Sequence, residues 1–288
     1  MPLHSLNHFK SVFIYDIFIQ PADQNYLTAR FLRVIGMHQD FFWHAQQTLE
    51  KLFKAGLVLN GVSVKSKSHE LTKLLPIYEE TLGSDAFNSF DKPKKLKAEL
   101  WSDTSVKDFV TKISALGSAD ARYGLVGYQS SKDDLFKLDQ LVFKLRQRTM
   151  GLDWVIGEDF RAEENLQHFN GKTYREFIEQ NPTEQIRHLS IPYQELKSIG
   201  ENTQDLFHAW NFEFQRKSSD IDKIAPGAIA PELAFSLSRI DALLQNIEAF
   251  DGFDKEFVPE GFKWLLDNVK VSSHWKKMIE TYLSESKK

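Results

Sequence analysis

The chain has 288 residues, 42% of them hydrophobic and 13% aromatic, enough to bury the core of one large or two modest domains and to exclude wholesale disorder. Net charge is −4 but unevenly spread: residues 1–150 carry 20 Lys and Arg against 16 Asp and Glu, and residues 151–288 carry 16 against 24. With no cysteine, disulfides, thiolate zinc sites and cysteine nucleophiles are excluded together.

The first half is therefore net basic and the second net acidic, so an anionic ligand would favour the first. No run reaches the roughly 18–20 uncharged apolar residues of a membrane helix. The N-terminus lacks a basic region followed by an apolar core and a cleavage site, which makes the cytoplasm the expected location and a membrane an unexpected partner.

In chain order, Ser11 to Ile19 is β-branched and aromatic and is stopped by Pro21, which predicts a short N-terminal strand within an extension over 1–22. From Asp23 the apolar spacing turns helical and ends near Gly36. The clearest element is a long amphipathic helix, Asp40 to Asn60. Phe42, Ala45, Leu49, Leu52, Phe53 and Gly56 fall on one stripe, and Asn60-Gly61 reads as its C-terminal cap. On the opposite side His44, Gln47, Lys51 and Lys54 line up.

Ser63 to Lys67 is a polar, basic loop. His69 to Glu80 predicts a further helix with Leu71, Leu74, Leu75 and Tyr78 inward. Others are predicted at Val106 to Leu116 and at Lys132 to Arg148, the latter with Leu135, Leu138, Leu141, Val142 and Leu145 inward. Past Gly151 the texture becomes acidic, with helices expected at Thr173–Asn181, Thr203–Arg216, Pro231–Phe250 and Gly261–Ser286. The expectation is a mainly α protein: extension 1–22, bundle 23–150, and an acidic helical region 151–288.

No phosphate-binding glycine loop, dinucleotide fingerprint, nucleophile elbow or metal-ligand spacing occurs, so neither a cofactor nor a metal site is expected. His4, His8, His208 and His274 are isolated. A lysine cluster, Lys92, Lys94, Lys95 and Lys97, reads as a solvated loop or an attractor of nucleic acid. Trp210 with Arg216 reads as core packing or a base-stacking surface.

One phrase is more specific. Phe42-Trp-His-Ala-Gln-Gln-Thr-Leu-Glu-Lys-Leu-Phe-Lys-Ala55 is followed by the apolar Leu57-Val-Leu59, then by Ser68-His-Glu-Leu-Thr-Lys-Leu-Leu75. It resembles the HEPN family. Gln47, Glu50, Lys51, Lys54 and Ala55 match the family phrase position by position, and His69 with Leu71 matches the start of its next helix. Thr48, Leu49, Phe53, Ser68 and Glu70 are mild departures. Tyr26, Ala29-Arg30 and Arg122-Tyr123 fit weaker family positions.

The resemblance covers about residues 23–148. It implies an antiparallel, HEPN-like helical bundle, often a homo-oligomer, with a nucleotidyltransferase as a possible partner in toxin-antitoxin or defence systems. Many members resemble metal-independent ribonucleases using Arg-x4–6-His, in which histidine moves the 2′-hydroxyl proton and arginine stabilises phosphate charge. Here Arg122 is not followed by a histidine, so the resemblance implies binding of RNA or a nucleotide, or of a protein partner, without the usual catalytic pair. The ligand-binding candidates are His44, Gln47, Lys51, Lys54, His69 and Arg122. The alternative is a ribonuclease with a displaced pair, for which Arg33 with His38, or Arg161 with His168, has suitable spacing.

Overall fold

The structure is a computed structural model that describes residues 5–83, 87, 89–93, 96–122, 127–158, 169–181, 257–271 and 273–285, with only the backbone of Val34 and Arg122. It is mainly helical. Among the described residues there is no strand, only an isolated bridge between Val155 and Thr173, and no helix is long and apolar enough to cross a membrane.

The N-terminal strand expected over Ser11 to Ile19 is a helix instead. Helix α1 (Leu6–Ile14) is capped by the Ser5 hydroxyl, which accepts from the His8 N–H. It passes through a π-turn at Tyr15–Ile19 directly into α2 (Gln20–Val34). Pro21 does not end the run. A proline ring collides with the carbonyl four residues back and cannot donate to it. The wider turn before it, closed by Gln20 N–H donating to Tyr15 O, provides the slack. Burial outweighs strand propensity here, because Phe9, Phe13, Ile14, Ile19, Ala22 and Tyr26 form one continuous buried seam. The boundary expected near residue 22 thus lies inside a helical run.

The central helix α3 (His38–Leu59) has the expected inward stripe, with Phe42, Ala45, Leu49, Leu52, Phe53 and Gly56 all buried. Its end forms a Schellman turn: Val62 N–H donates to Leu57 O and Gly61 N–H to Val58 O, with Gly61 at φ +84°. The Asn60 side chain then donates to Met150 O and accepts from Leu152 N–H, tying residues 150–152 to the end of α3.

Helix α4 (Leu71–Leu82) buries Leu71, Leu74, Leu75 and Tyr78 as its spacing predicts. The residues that meet rise together along the two helices: His69 lies by Gln46 and Glu50, and Tyr78 by Phe53 and Gly56. α4 therefore follows α3 in the same sense, the 61–69 loop having run back along it. Helix α5 (Val106–Leu116), capped by Ser105, ends against the start of α3, where Gly117 leaves no room for a side chain beside Gln46 and Phe42. A short α6 (Ala119–Arg122) follows.

Helix α7 (Asp134–Arg146) shows why a single stripe underdescribes this core. Leu138, Leu141, Val142 and Leu145 are buried, but so are Lys137, Asp139, Gln140 and Arg146. Three couplings join it to α2. Arg33 Nη2 donates to Ser131 O at 2.8 Å just before α7, Arg30 and Tyr26 both meet Asp139, and Asp23 lies 2.9 Å from Arg146 Nε. Positions 23, 26, 30 and 33 on α2 meet 146, 139 and 131 in reverse order, so the two helices are antiparallel. Burial pushes the Asp23 carboxyl up to about 7 despite Arg146, and pushes Asp139 and the Tyr26 hydroxyl up as well. On the other side of α7, Lys137 Nζ donates to Asp133, Ser102 and Thr104. Asp133, although buried, is held well below the usual carboxylate range by hydrogen bonds from Lys137 and Ser102.

Beyond Gly151, α8 (Tyr174–Gln180) begins with a capping box between Thr173 and Glu176. The single C-terminal helix expected from Gly261 to Ser286 is two, α9 (Val258–Asn268) and α10 (Ser273–Glu285). The chain turns extended at Val269, and the 63–65 loop finishes α9. Val64 N–H donates to Asn268 O, Ser63 Oγ to Asp267 O and Lys65 Nζ to Leu266 O. Phe262 packs edge-on to Phe9, and Gly261 lets the Phe9 ring come so close that an added Cβ would stand 2.4 Å from it. One buried apolar cluster runs from Phe9 through the bundle to Ile279. The helices expected at 203–216 and 231–250 lie outside the described residues, as do Trp210 and Arg216.

Candidate functional site

The polar side of α3 is not an open stripe. Glu50 is buried, and its Oε1 lies 2.8 Å from both Lys54 Nζ and His69 Nδ1. Gln46, which the spacing argument passed over, donates to the His69 carbonyl at 3.0 Å and accepts from Gln47 Nε2 at 2.7 Å. Lys51 Nζ closes the chain on Gln47 Oε1 at 3.0 Å. The Lys51 ammonium is pushed down by burial, with Glu50 opposing the shift. One continuous hydrogen-bonded chain, Lys51–Gln47–Gln46–Glu50–Lys54/His69, thus stitches α3 to the start of α4.

His44 stands apart from it and meets Asn25 Oδ1 of α2 at 3.0 Å, its ring held below the ordinary histidine value by desolvation. Among the described side chains of these candidates only His69 is well exposed, with 83% of its side chain open to solvent. Arg122 ends α6, and its side chain is outside the described residues.

A second constellation sits at the corner where α2 turns into α3. Gly36, at φ +84°, makes the turn, bringing Arg33 Nη1 to 3.2 Å from His38 Nδ1. An arginine only donates, so Nδ1 accepts and Nε2 carries the ring hydrogen. Arg33 is anchored from beneath by Ser131 O and lies over the Phe41 ring.

Tyr128, 48% exposed, stands with its ring 6.1 Å from that of His38 and 6.3 Å from that of buried Phe42. Lys112 approaches the Phe42 ring from α5 and pairs with Asp134 at 2.7 Å. Beside it lies an open depression of about 330 Å³ lined by Lys112, Ala115, Leu116 and Gln129. Phe31, Ile35 and Met37 are each about half exposed on the outer side of the same corner.

The corner thus combines a half-exposed aromatic ring, three cationic or protonatable groups and a concave floor. Of these, the sequence motif pointed only to Arg33 and His38. Lys112, Tyr128 and Gln129 carry no local signal and become a group only through folding. The second spaced pair, Arg161 and His168, lies outside the described residues, as do Lys94, Lys95, His4 and His208. Lys92 closes on the carbonyls of Pro93 and Leu96, and Lys97 lies 4.0 Å from Glu99. His8 is buried and His274 lies against Trp275. Among the described residues no three His, Asp or Glu side chains are grouped to hold a metal ion.

No protein-family model, no curated protein and no solved structure matches the chain.

Proposed function

We propose that this is a HEPN-like helical protein that binds single-stranded RNA or a nucleotide at the α2–α3 corner, without cutting it. The observation that carries the reading is the grouping of half-exposed Tyr128 with Arg33, His38 and Lys112 beside the depression that Gln129 lines. An exposed ring offers a base a stacking surface, cations attract the phosphate, and an amide can pair with a base edge. The α3 stripe supports this reading less well, since its amides and ammonium groups bond to one another.

The same reading goes with a cytoplasmic protein acting as a homo-oligomer or with a nucleotidyltransferase partner. Exposed Phe31, Ile35 and Met37 offer apolar surface for such contacts.

A second reading is favoured by one observation. Arg33 and His38 have the Arg-x4-His spacing and meet at 3.2 Å, which fits a metal-independent ribonuclease with a displaced pair. Against it, both terminal nitrogens of Arg33 already donate within the protein, to His38 and to Ser131 O. Its charge can therefore draw a phosphate toward the corner, but it has no terminal nitrogen free to clamp a scissile one.

Incubating the purified chain with labelled single-stranded RNA in a chelating buffer separates the two. Retarded but intact RNA is expected. Cleavage that disappears in His38→Ala would replace the first reading by the second, and absence of any complex would remove both.

A further inference from the structure

Two histidines, half-buried His38 and exposed His69, hold their protons in opposite places. At His38 the neighbour is an arginine, so Nδ1 accepts and Nε2 carries the hydrogen. At His69 the neighbour is the carboxylate of Glu50, already ion-paired with Lys54. A carboxylate only accepts, so Nδ1 carries the hydrogen and Nε2 presents a bare lone pair.

This ring is not needed to hold the start of α4. Gln46 does that through the His69 backbone carbonyl at 3.0 Å, and with 83% of the side chain exposed the imidazole contributes little packing. What Glu50 supplies is orientation, the role a carboxylate plays behind a histidine whose other nitrogen does chemistry. The surrounding chain is cationic, with Lys51, Lys54, Lys65, Lys67 and Lys73 against Glu50 and Glu70, so an anionic electrophile is drawn to it.

We propose that His69 is a phosphoryl-acceptor site, modified at Nε2 by a phosphoramidate-type donor and positioned by Glu50. The Nε2 lone pair attacks phosphorus and an N–P bond forms. The P–N bond of the donor breaks, and its nitrogen departs with the electron pair and takes a proton from water. The positive charge left on the ring is stabilised by the Nδ1–H bond to Glu50. The site is separate from the α2–α3 corner and does not depend on RNA or nucleotide binding there.

The test is to incubate the full chain with potassium phosphoramidate and map the phosphorylated histidines over time by mass spectrometry at alkaline pH. His69 is expected to react first, about tenfold or more faster than any other of the nine histidines. His69→Gln removes that fast phase, and Glu50→Gln slows it to the rate of the rest. The competition within the unaltered chain decides even if Glu50→Gln proves too unstable to compare. Labelling spread evenly over the histidines, or fastest elsewhere, overturns the proposal, as does an undiminished rate at His69 in folded Glu50→Gln.

Discussion

The polar chain on α3 and the corner between α2 and α3 use similar residue types to opposite ends. On α3 the amides and ammonium groups face inward or along the helix, and Gln46, Gln47, Lys51 and Lys54 each donate to an acceptor on a neighbouring residue. At the corner the Tyr128 ring is left half open to solvent beside half-buried His38 and a concave floor. Conspicuous polar residues at helical spacing are thus as useful for joining helices as for meeting a ligand. Only the fold tells the two uses apart.

The sharpest way to break this contrast is at the buried couplings of α2 with α7, which share the inward character of the α3 chain. Asp139→Ala leaves Arg30 buried without its carboxylate and is expected to cost about 3–5 kcal/mol, read by urea denaturation. A loss below about 1 kcal/mol would mean that Arg30 finds solvent.

Asp23 gives the same interface a pH signature. Its folded value, raised to about 7 from 3.8, means that the native state binds the extra proton between those values. Stability is therefore expected to fall as pH rises from about 4 to about 7, and the Asp23→Asn variant to lose that slope in thermal melts.

Within the α3 chain, Glu50→Ala strands the buried Lys54 and is expected to cost about 3 kcal/mol. Lys51→Ala, at the half-exposed end, costs about 0.5 kcal/mol. Equal effects would show that the chain is not graded by burial.

At the junction between the two regions, Gly117→Ala places a methyl 2.4 Å from the Gln46 Cβ and 2.6 Å from the Phe42 carbonyl. About 1–3 kcal/mol of destabilisation is expected, with α5 displaced from α3. A crystal structure of the variant with α5 unmoved would contradict this.

Much of the helical layout was legible in the sequence because it rests on one apolar stripe per element. α3, α4 and α5 appear close to their expected limits, as does α8 within the expected Thr173–Asn181. The failures share a cause, which is that tertiary burial outvotes local preference. The β-branched run at 11–19 is helical because its side chains complete the seam from Phe9 to Tyr26. Residues 261–285 form two helices, because the first ends where the 63–65 loop takes up its carbonyls.

The second buried face of α7 was invisible for a related reason. Asp139 meets Tyr26 and Arg30, which lie more than a hundred residues away on α2. For the candidate sites, spacing brought out Arg33 and His38, and the family resemblance brought out His69. Tyr128 and Lys112 could be recognised only from their places around Phe42.

The central claim is that ligand contact belongs to the corner and not to the α3 chain. It is tested most directly by fluorescence anisotropy with a labelled single-stranded RNA, comparing Tyr128→Ala with Lys51→Ala at one fixed salt concentration. Loss of one stacked base is expected to weaken binding about tenfold in Tyr128→Ala, with Lys51→Ala close to the unaltered chain. Weakened binding in Lys51→Ala with none in Tyr128→Ala would contradict the account and return the ligand to the face of α3.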